Sequence, residues 1–553
     1  MKNSLREVLV LGLILLLGAC AQVVAPGGGP VDRAAPKAIS YKPDSAKLAF
    51  NSRSIIIEFD EFIQLRDLSS QLIISPPLKK QPDISVRGKS LLIELDKDEQ
   101  LRSNTTYSFY FGQAIQDLNE NNPADNFRYI FSTGSFIDSL NVEGTVENAF
   151  DKKTEKGILV MLYSDMSDSV PYKAQPDYFA RTTADGKFRI SNVRQGSYKI
   201  IALKDLNANY LYDGEGEQLA YTADTVFSAR KDNRVLRMFE EQGGKVSLKK
   251  YLHDQHGKVN IYLQGKADSL RVTALNNTDK GVQELAEINP GKDTITYWIK
   301  NFQKDSLFLQ VSNGSEILDT VELKTIKLED AMKSKKRPFR LRSVNSLEGN
   351  QNVNLDQELT LQMSQPVASI QPLPVQFRRD TVLQKNVVLI QDSVDQKKLR
   401  LVQIDSAKGG MVSKIKLLPE KNYSLLILPG TVADMFGLQN DSISMRFKTR
   451  EEKYYGSLAL HVSIPSDDKY IIQLLNEKDA VIRQNNIVRL ADLSYQYLQP
   501  GRYRLKLIHD KNGNGKWDTG YYLRKEQPEE VLFNSESIMI RSNWDAELEW
   551  EIK

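Results

Sequence analysis

From residue 37 to the end of the chain, apolar side chains recur at every second position in short runs, each closed by Asn, Asp, Gly or Pro. A period of two puts alternate residues on opposite faces of an extended chain, so the pattern predicts half-buried β-strands joined by tight turns. SIIIEF (54–59), TYSFYF (106–111) and FRYIF (127–131) are examples, as are 258–264 and 306–312. The last run is the plainest: Trp544, Ala546, Leu548, Trp550 and Ile552 share one face, and Asp545, Glu547, Glu549 and Glu551 the other. Helical spacing is scarce, with 328–333 long enough for one or two turns. The fold class read from this is all-β, arranged as tandem β-sandwich domains. A length of 553 residues accommodates about four domains at roughly 150 residues each.

One stretch breaks the pattern. Residues 8–18 (VLVLGLILLLG) follow Lys2 and Arg6 and are too few for a permanent membrane span. They lead to Leu17-Gly18-Ala19-Cys20, which resembles the lipobox of bacterial lipoproteins. The resemblance implies a signal peptide over 1–19 and a lipid on Cys20; the alternative is an ordinary secretory signal beside a chance cysteine. Cys20 is the single cysteine, so no intramolecular disulfide is possible, and its position favours the lipid. The Gly- and Pro-rich segment 20–36 predicts a flexible tether. The expected location is the cell outer membrane, reached through the anchor at Cys20, with the periplasmic or surface side left open.

The charge balance, 74 basic against 71 acidic residues, gives a net +3 and no basic excess for binding phosphate backbones, so nucleic acid is not an expected partner. Hydrophobic residues at 41% and charged residues at 26% describe an ordinary globular chain. Four histidines and one cysteine leave little for His/Cys metal sites or thiol chemistry.

Two internal repeats organise the body. Tyr107 and Thr133 recur as Tyr423 and Thr449 at an offset of 316, each pair bracketing a loop aspartate (Asp117, Asp434) and a final Phe-x-Thr strand. This resembles the bacterial Ig-like domain first described in S-layer proteins, and implies such domains over 37–136 and 345–450. The second repeat runs at an offset of 305, from Gly196-Ser197-Tyr198 to Asp213 and from Gly501-Arg502-Tyr503 to Asp518. With Asp185-Gly186-Lys187-Phe188 upstream, it resembles the transthyretin-like and collagen-adhesin B-type sandwiches, implying such domains over 138–242 and 452–553. Residues 245–342 form a middle β domain without a family cue. The whole order, with the Pro26 to Pro30 leash and Asp32 to Pro36, resembles a group of Bacteroidota envelope lipoproteins; that likeness brings no catalytic residue with it.

The second repeat carries Asp-x-Asn-x-Asn-x-x-x-Asp twice: Asp205, Asn207, Asn209 and Asp213, then Asp510, Asn512, Asn514 and Asp518. Oxygen side chains at positions 1, 3, 5 and 9 match the first half of an EF-hand-type loop, making Ca2+ the one candidate cofactor. The acid at position 12 is missing from both copies. Glu215 or Glu217 is a substitute in the first, and the second has no near equivalent. The competing reading is an Asx-rich turn in which Asp and Asn bond their own backbone. A further pattern is Asp-[Ser/Thr]-apolar, at Ser45, Ser139, Ser169, Thr225, Ser269, Thr294, Ser306, Thr320, Thr381, Ser393, Ser406 and Ser442. Ordinary usage predicts about two such triplets. They resemble the O-glycosylation consensus of exported Bacteroidota proteins, and equally suit a turn feeding a strand.

Asp518-Thr519-Gly520 lacks the second such aspartate that an aspartic protease needs, and His253 with His256 lacks further zinc ligands. No catalytic residues are assigned. The expectation is a non-catalytic outer-membrane lipoprotein, a β-sandwich scaffold or interaction subunit of an envelope protein complex in outer-membrane assembly or transport. A glycan-binding or adhesive lipoprotein is the first alternative, with Trp517, Tyr521 and Tyr522 as its local aromatic cluster. A hydrolase hidden in the middle domain is the second.

Overall fold

The computed structural model describes residues 32–552, save 125–126, 215, 230–232, 242–245, 266, 268, 278–280, 290, 334–339, 345–351 and 406–409. Cys20 and Ser406 lie outside the described residues. Almost every regular element is a strand, and the helices are single turns such as Val170–Lys173 and Leu328–Lys333. No helix among the described residues is long and apolar enough to cross a membrane.

The alternation read from the sequence becomes the inner faces of sandwiches. In Ser54–Phe59, Ile55, Ile57 and Phe59 are buried while Ile56 faces out. That strand pairs antiparallel with Ala38–Lys42 and Ser90–Glu94. Across the core stands a three-stranded sheet of Ile73–Ser75, Thr106–Tyr110 and Arg128–Ser132. Aromatic rings fill the gap, with Phe50 stacked on Phe131 at 3.8 Å. Later along the chain, a four-stranded sheet centred on Lys258–Gln264 and a three-stranded sheet centred on Ser306–Asn313 enclose the core of the middle unit. The core that follows, from Leu341 to Tyr455, lies between two five-stranded sheets.

The second and fifth units, residues 138–242 and 452–553, are built differently from a one-sided sandwich. The strand Leu159–Tyr163 is buried at every position, and so are Ile200 to Leu203 in its neighbour Ser197–Leu203. Val160, Leu162, Ile200 and Ala202 face the unit's own core. Leu159, Met161, Tyr163, Ile201 and Leu203 face the other way, into a second cluster with Phe239, Tyr212 and Tyr522. Near the C-terminus the strand Lys469–Asn476 repeats the arrangement: Ile472 and Leu474 point into the core, and Ile471 points outward beside Ile508, Val531 and Trp517.

These outward faces meet, so units read as a string from sequence close into a ring. Tyr522 stacks edge-on against Tyr221 at 5.1 Å, and Phe150 meets Trp517 at 5.0 Å. Thr519 donates to the carbonyl of Glu240, Gln527 to that of Tyr221, and the Tyr522 N–H to Glu241. Asp168 accepts ion pairs from Lys199 at 2.7 Å and Lys525 at 3.3 Å. Smaller contacts complete the circuit. Phe436 packs against His256 and Trp298, Lys397 pairs with Glu287 at 2.7 Å, and Arg483 pairs with Asp356 at 2.6 Å.

Gly520 lies in this seam, against Phe239 of the second unit. A Cβ there would lie 2.7 Å from the Glu526 carbonyl and 2.8 Å from the Phe239 ring. Gly520→Val is therefore expected to separate the units while leaving both cores folded. Amine-reactive crosslinking followed by mass spectrometry should join Lys199 to Lys525 in the native chain and lose that link in the variant, with the circular dichroism of the strands retained. A missing link in the native chain, or one that persists in Gly520→Val, would refute the seam.

Candidate functional site

The repeated residues come first, because the structure places both copies of each. Tyr107 accepts a hydrogen bond from the N–H of Arg102 at 2.9 Å, and Thr133 donates to the carbonyl of Arg102 at 2.7 Å. Tyr423 and Thr449 do the same to Leu418, at 2.8 and 2.6 Å. Each Tyr/Thr pair thus secures both polar groups of one loop residue, the type of corner common in immunoglobulin-like sandwiches. Tyr198 donates to the Arg194 carbonyl and Tyr503 to that of Gln499, at 3.0 and 2.8 Å. Asp117 collects four backbone N–H groups, from Asn119 to Asn122; burial works to raise its pKa, and these donors hold it below the usual carboxylate range.

The Asp/Asn loops also bond in closely similar ways. Asp205 accepts from the N–H groups of Ala208 and Tyr210, and Asp510 from those of Asn514 and Gly515. Asn207 and Asn209 donate to one oxygen of Asp213, at 2.6 and 2.9 Å; Asn512 and Asn514 do so to Asp518, at 2.6 and 2.7 Å. Two backbone positions in each loop are left-handed: Ala208 and Tyr210 in the first, Gly513 and Gly515 in the second, where glycine bears the conformation without strain.

A glutamate closes each loop. Glu217 accepts from the N–H groups of Leu206 and Asp213, both at 3.0 Å. Glu529 accepts from the corresponding Lys511 and Asp518, at 2.7 and 3.0 Å. The expectation that the second copy lacks an equivalent of Glu217 is thus corrected. Glu217 follows Asp213 by four residues and Glu529 follows Asp518 by eleven, so fixed spacing concealed the match. Burial pushes Glu529 above the usual range, against the lowering effect of its two N–H donors. Among the described residues, no group of three or more His, Cys, Asp or Glu is placed to hold a metal ion.

The aromatic cluster is corrected as well. Tyr522 is 3% exposed and Trp517 half-buried, both in the seam, so they do not form an open platform for a sugar ring. Of the Asp-Ser/Thr sites, Ser45, Ser139, Thr225, Ser269, Thr320, Thr381, Ser393 and Ser442 are exposed, and Ser169, Thr294 and Ser306 half-buried. Ser139, Thr225, Ser269, Thr381 and Ser442 directly precede a strand, and Thr294 and Ser306 begin one. That is the placement expected where a turn feeds a strand, and it also leaves the hydroxyls accessible. His256 lies 2.6 Å from the Ile326 carbonyl, His461 pairs with Asp492 and His509 with Asp468. Four cavities are lined by residues of the first, second, fourth and fifth units, and none of the four by residues 245–342.

Lys506 is a feature that sequence reading missed. It lies on the outward face of Gly501–His509, is 2% exposed, and its Nζ sits 2.8 Å from the centre of the Phe150 ring. The acids facing it are Asp151 and Asp479. Lys153 pairs with both, and Arg504 also pairs with Asp479. Burial brings its pKa down from 10.5 to about 7, with the two acids opposing.

Residues 32–133 match the family model of the bacterial Ig-like domain. The first unit is such a domain. No curated protein matches the sequence. Among solved structures, the Bacillus anthracis TIE protein aligns with 96% of this chain and 76% of its own, at 9% identity and a TM-score of 0.15. An S-layer protein aligns with 91% of this chain and 67% of its own, at 10% identity and a TM-score of 0.15. The major pilin subunit of Bacillus cereus aligns with 75% and 98%, at 10% identity and a TM-score of 0.12.

Lys506 yields a pH prediction. Its folded pKa lies below its unfolded one, so between about 7 and 10.5 the unfolded chain holds more protons. Stability should therefore rise with pH across that window, with the full cost of the buried charge present below it. Lys506→Met should flatten the rise and stabilise the chain at neutral pH by about 1–3 kcal/mol. Urea melts of both proteins at several pH values test this, and parallel pH dependences would refute it.

Proposed function

We propose that this chain is a non-catalytic, lipid-anchored scaffold of the cell envelope that presents a preassembled ring of β-sandwiches to an outer-membrane protein complex. The observation that carries this reading is the use of the repeated polar residues. The Tyr/Thr corners, the loop aspartates and the two glutamate clamps bond backbone groups rather than converge on a cavity. Such a design spends polar chemistry on shape, as a rigid interaction subunit requires. The lipobox-like segment ending at Cys20 supplies the anchor in this reading, and the Gly- and Pro-rich stretch 20–36 links it to the ring. The exposed Asp-Ser/Thr hydroxyls are its candidate glycan carriers.

Purification of the tagged native protein in mild detergent tests the reading. A stoichiometric outer-membrane partner is expected, together with a mass that reports acylation at Cys20 and sugars at the exposed sites. Recovery of the lipoprotein alone, even after crosslinking, would remove the scaffold role. Unmodified peptides at every site would remove the glycans.

Calcium in the paired loops is a secondary proposal. It rests on the asparagines as much as on the acids: turning the Asn207 and Asn209 amides would offer oxygens where Asp213 now receives their N–H groups. The full mature chain should then melt several degrees higher in calcium than in chelator, and Asn207→Ala with Asn512→Ala should abolish the difference. Equal melting in the two buffers would leave the loops as self-bonded turns.

A further inference from the structure

The junction between the Ig-like first unit and the second unit encloses a cleft of about 770 Å³, within the range of small-molecule sites. Its sides come from both units: Ser75, Tyr110 and Arg128 from the first, and Arg181, Arg189 and Asn192 from the second. The junction is built. Ser75 accepts a hydrogen bond from the Phe179 N–H at 3.2 Å, and Arg102 pairs with Asp177 at 2.6 Å.

The charge in this cleft is one-sided. Arg128, Arg181, Lys187 and Arg189 line it, against a single acid, Glu143. Arg189 pairs with Glu143 at 3.2 Å, and Lys187 pairs outside the lining with Asp185 at 2.7 Å. The other two guanidiniums have no carboxylate partner among the described residues. Arg128 is half-buried with its guanidinium over the Tyr110 ring; burial and the nearby Arg189 both disfavour its charge. Arg181 donates from one terminal nitrogen to the Gly157 carbonyl at 3.4 Å, while its buried Nε has no hydrogen-bond partner among the described residues. Asn192 donates to the Asp138 carbonyl at 2.8 Å, and its buried Oδ1 likewise has no partner. A buried donor left unmade costs about 1–3 kcal/mol. Arg128 and Arg181 thus give the cleft positive charge that no carboxylate among the described residues balances.

We propose that this cleft binds a phosphorylated sugar, with Arg128 and Arg181 as partners of its phosphate. Two unpaired guanidiniums match the charge of a phosphate monoester, about −1.5 to −2 at neutral pH. Guanidinium forks suit its oxygens. The hydroxyls of Ser139 and Ser191 and the cleft's volume suit the hydroxyl-rich remainder. Free sugar phosphates and phosphorylated glycolipid headgroups share this chemistry. The inference stands independently of the envelope scaffold reading.

Calorimetric titration of the full mature chain with glucose 6-phosphate, glucuronate and glucose tests it. Saturable binding of glucose 6-phosphate is expected, weakened by about tenfold or more in Arg128→Gln and in Arg181→Gln. The exposed Arg87→Gln should bind as the native chain does, and thermal melts of each variant separate lost binding from lost folding. Arg181→Lys, which keeps the charge without the fork, should recover part of the affinity. Binding of glucuronate or glucose as tight as that of the phosphate would overturn the assignment, and so would no binding at millimolar ligand or no effect of either glutamine variant. Vesicles bearing a phosphorylated glycolipid then distinguish the sources: stronger capture there than free sugar phosphate explains points to a headgroup, and equal affinity points to the free ligand.

Discussion

A sheet in a two-layer sandwich ordinarily has one face to bury; the second unit here has two. Val160, Leu162 and Ile200 fill its own core, while Leu159, Met161, Ile201 and Leu203 make an equally apolar surface on the reverse. Left in water, such a surface would be a liability. The unit's own Tyr172, Tyr210 and Tyr212 and Ile73 of the first unit cover part of it, and Tyr522 and Trp517, from a unit about three hundred residues further along the chain, cover more. That requirement makes four units close on one another, because the chain must leave the second unit, pass through the third and fourth, and return its fifth to the same face. The Phe436 and Arg483 contacts then have only to hold neighbours that the main seam has already brought near.

Within each unit the polar chemistry is local. A buried backbone group without a partner costs more than a made hydrogen bond gains, and the repeated Tyr, Thr, Asp and Glu residues are spent at loops where no strand can supply that partner. The Tyr107/Thr133 and Tyr423/Thr449 corners each satisfy one residue's N–H and carbonyl together. This explains why the repeats survive at fixed offsets of 316 and 305 while the strands between them share little beyond alternation. The corners depend on identity, and the strands only on period.

That difference also sets what could be read from the sequence. Strands such as Ser54–Phe59 and Lys258–Gln264 were legible because period two is a property of the residues themselves. So were the paired Asp/Asn loops, whose residues sit close together. The seam was not legible. LVMLY at 159–163 announces burial on both faces, but nothing local says what lies on the second face, and Tyr522 looks like any exposed aromatic beside a turn. Lys506 was hidden for the same reason: a lysine at an outward position of a strand normally reaches water, and here Phe150 from another unit lies over it.

The clamp glutamates link these levels. In the first loop, Glu217 follows Asp213 closely and little chain lies between them. In the second, the extra residues between Asp518 and Glu529 include Thr519, Gly520, Tyr522 and Gln527, the residues that reach across the seam. Both ends of that segment are fixed at its base: the Asp518 N–H donates to the Glu529 carboxylate, and the Glu529 N–H to the Asp518 carbonyl at 2.9 Å. A segment pinned in this way loses less conformational entropy on docking than a free loop of equal length. The loop that reads in sequence as a half-formed cation site is therefore, in the folded chain, the mount from which the seam is made. Its acids and amides are placed by that task, whether or not an ion joins them.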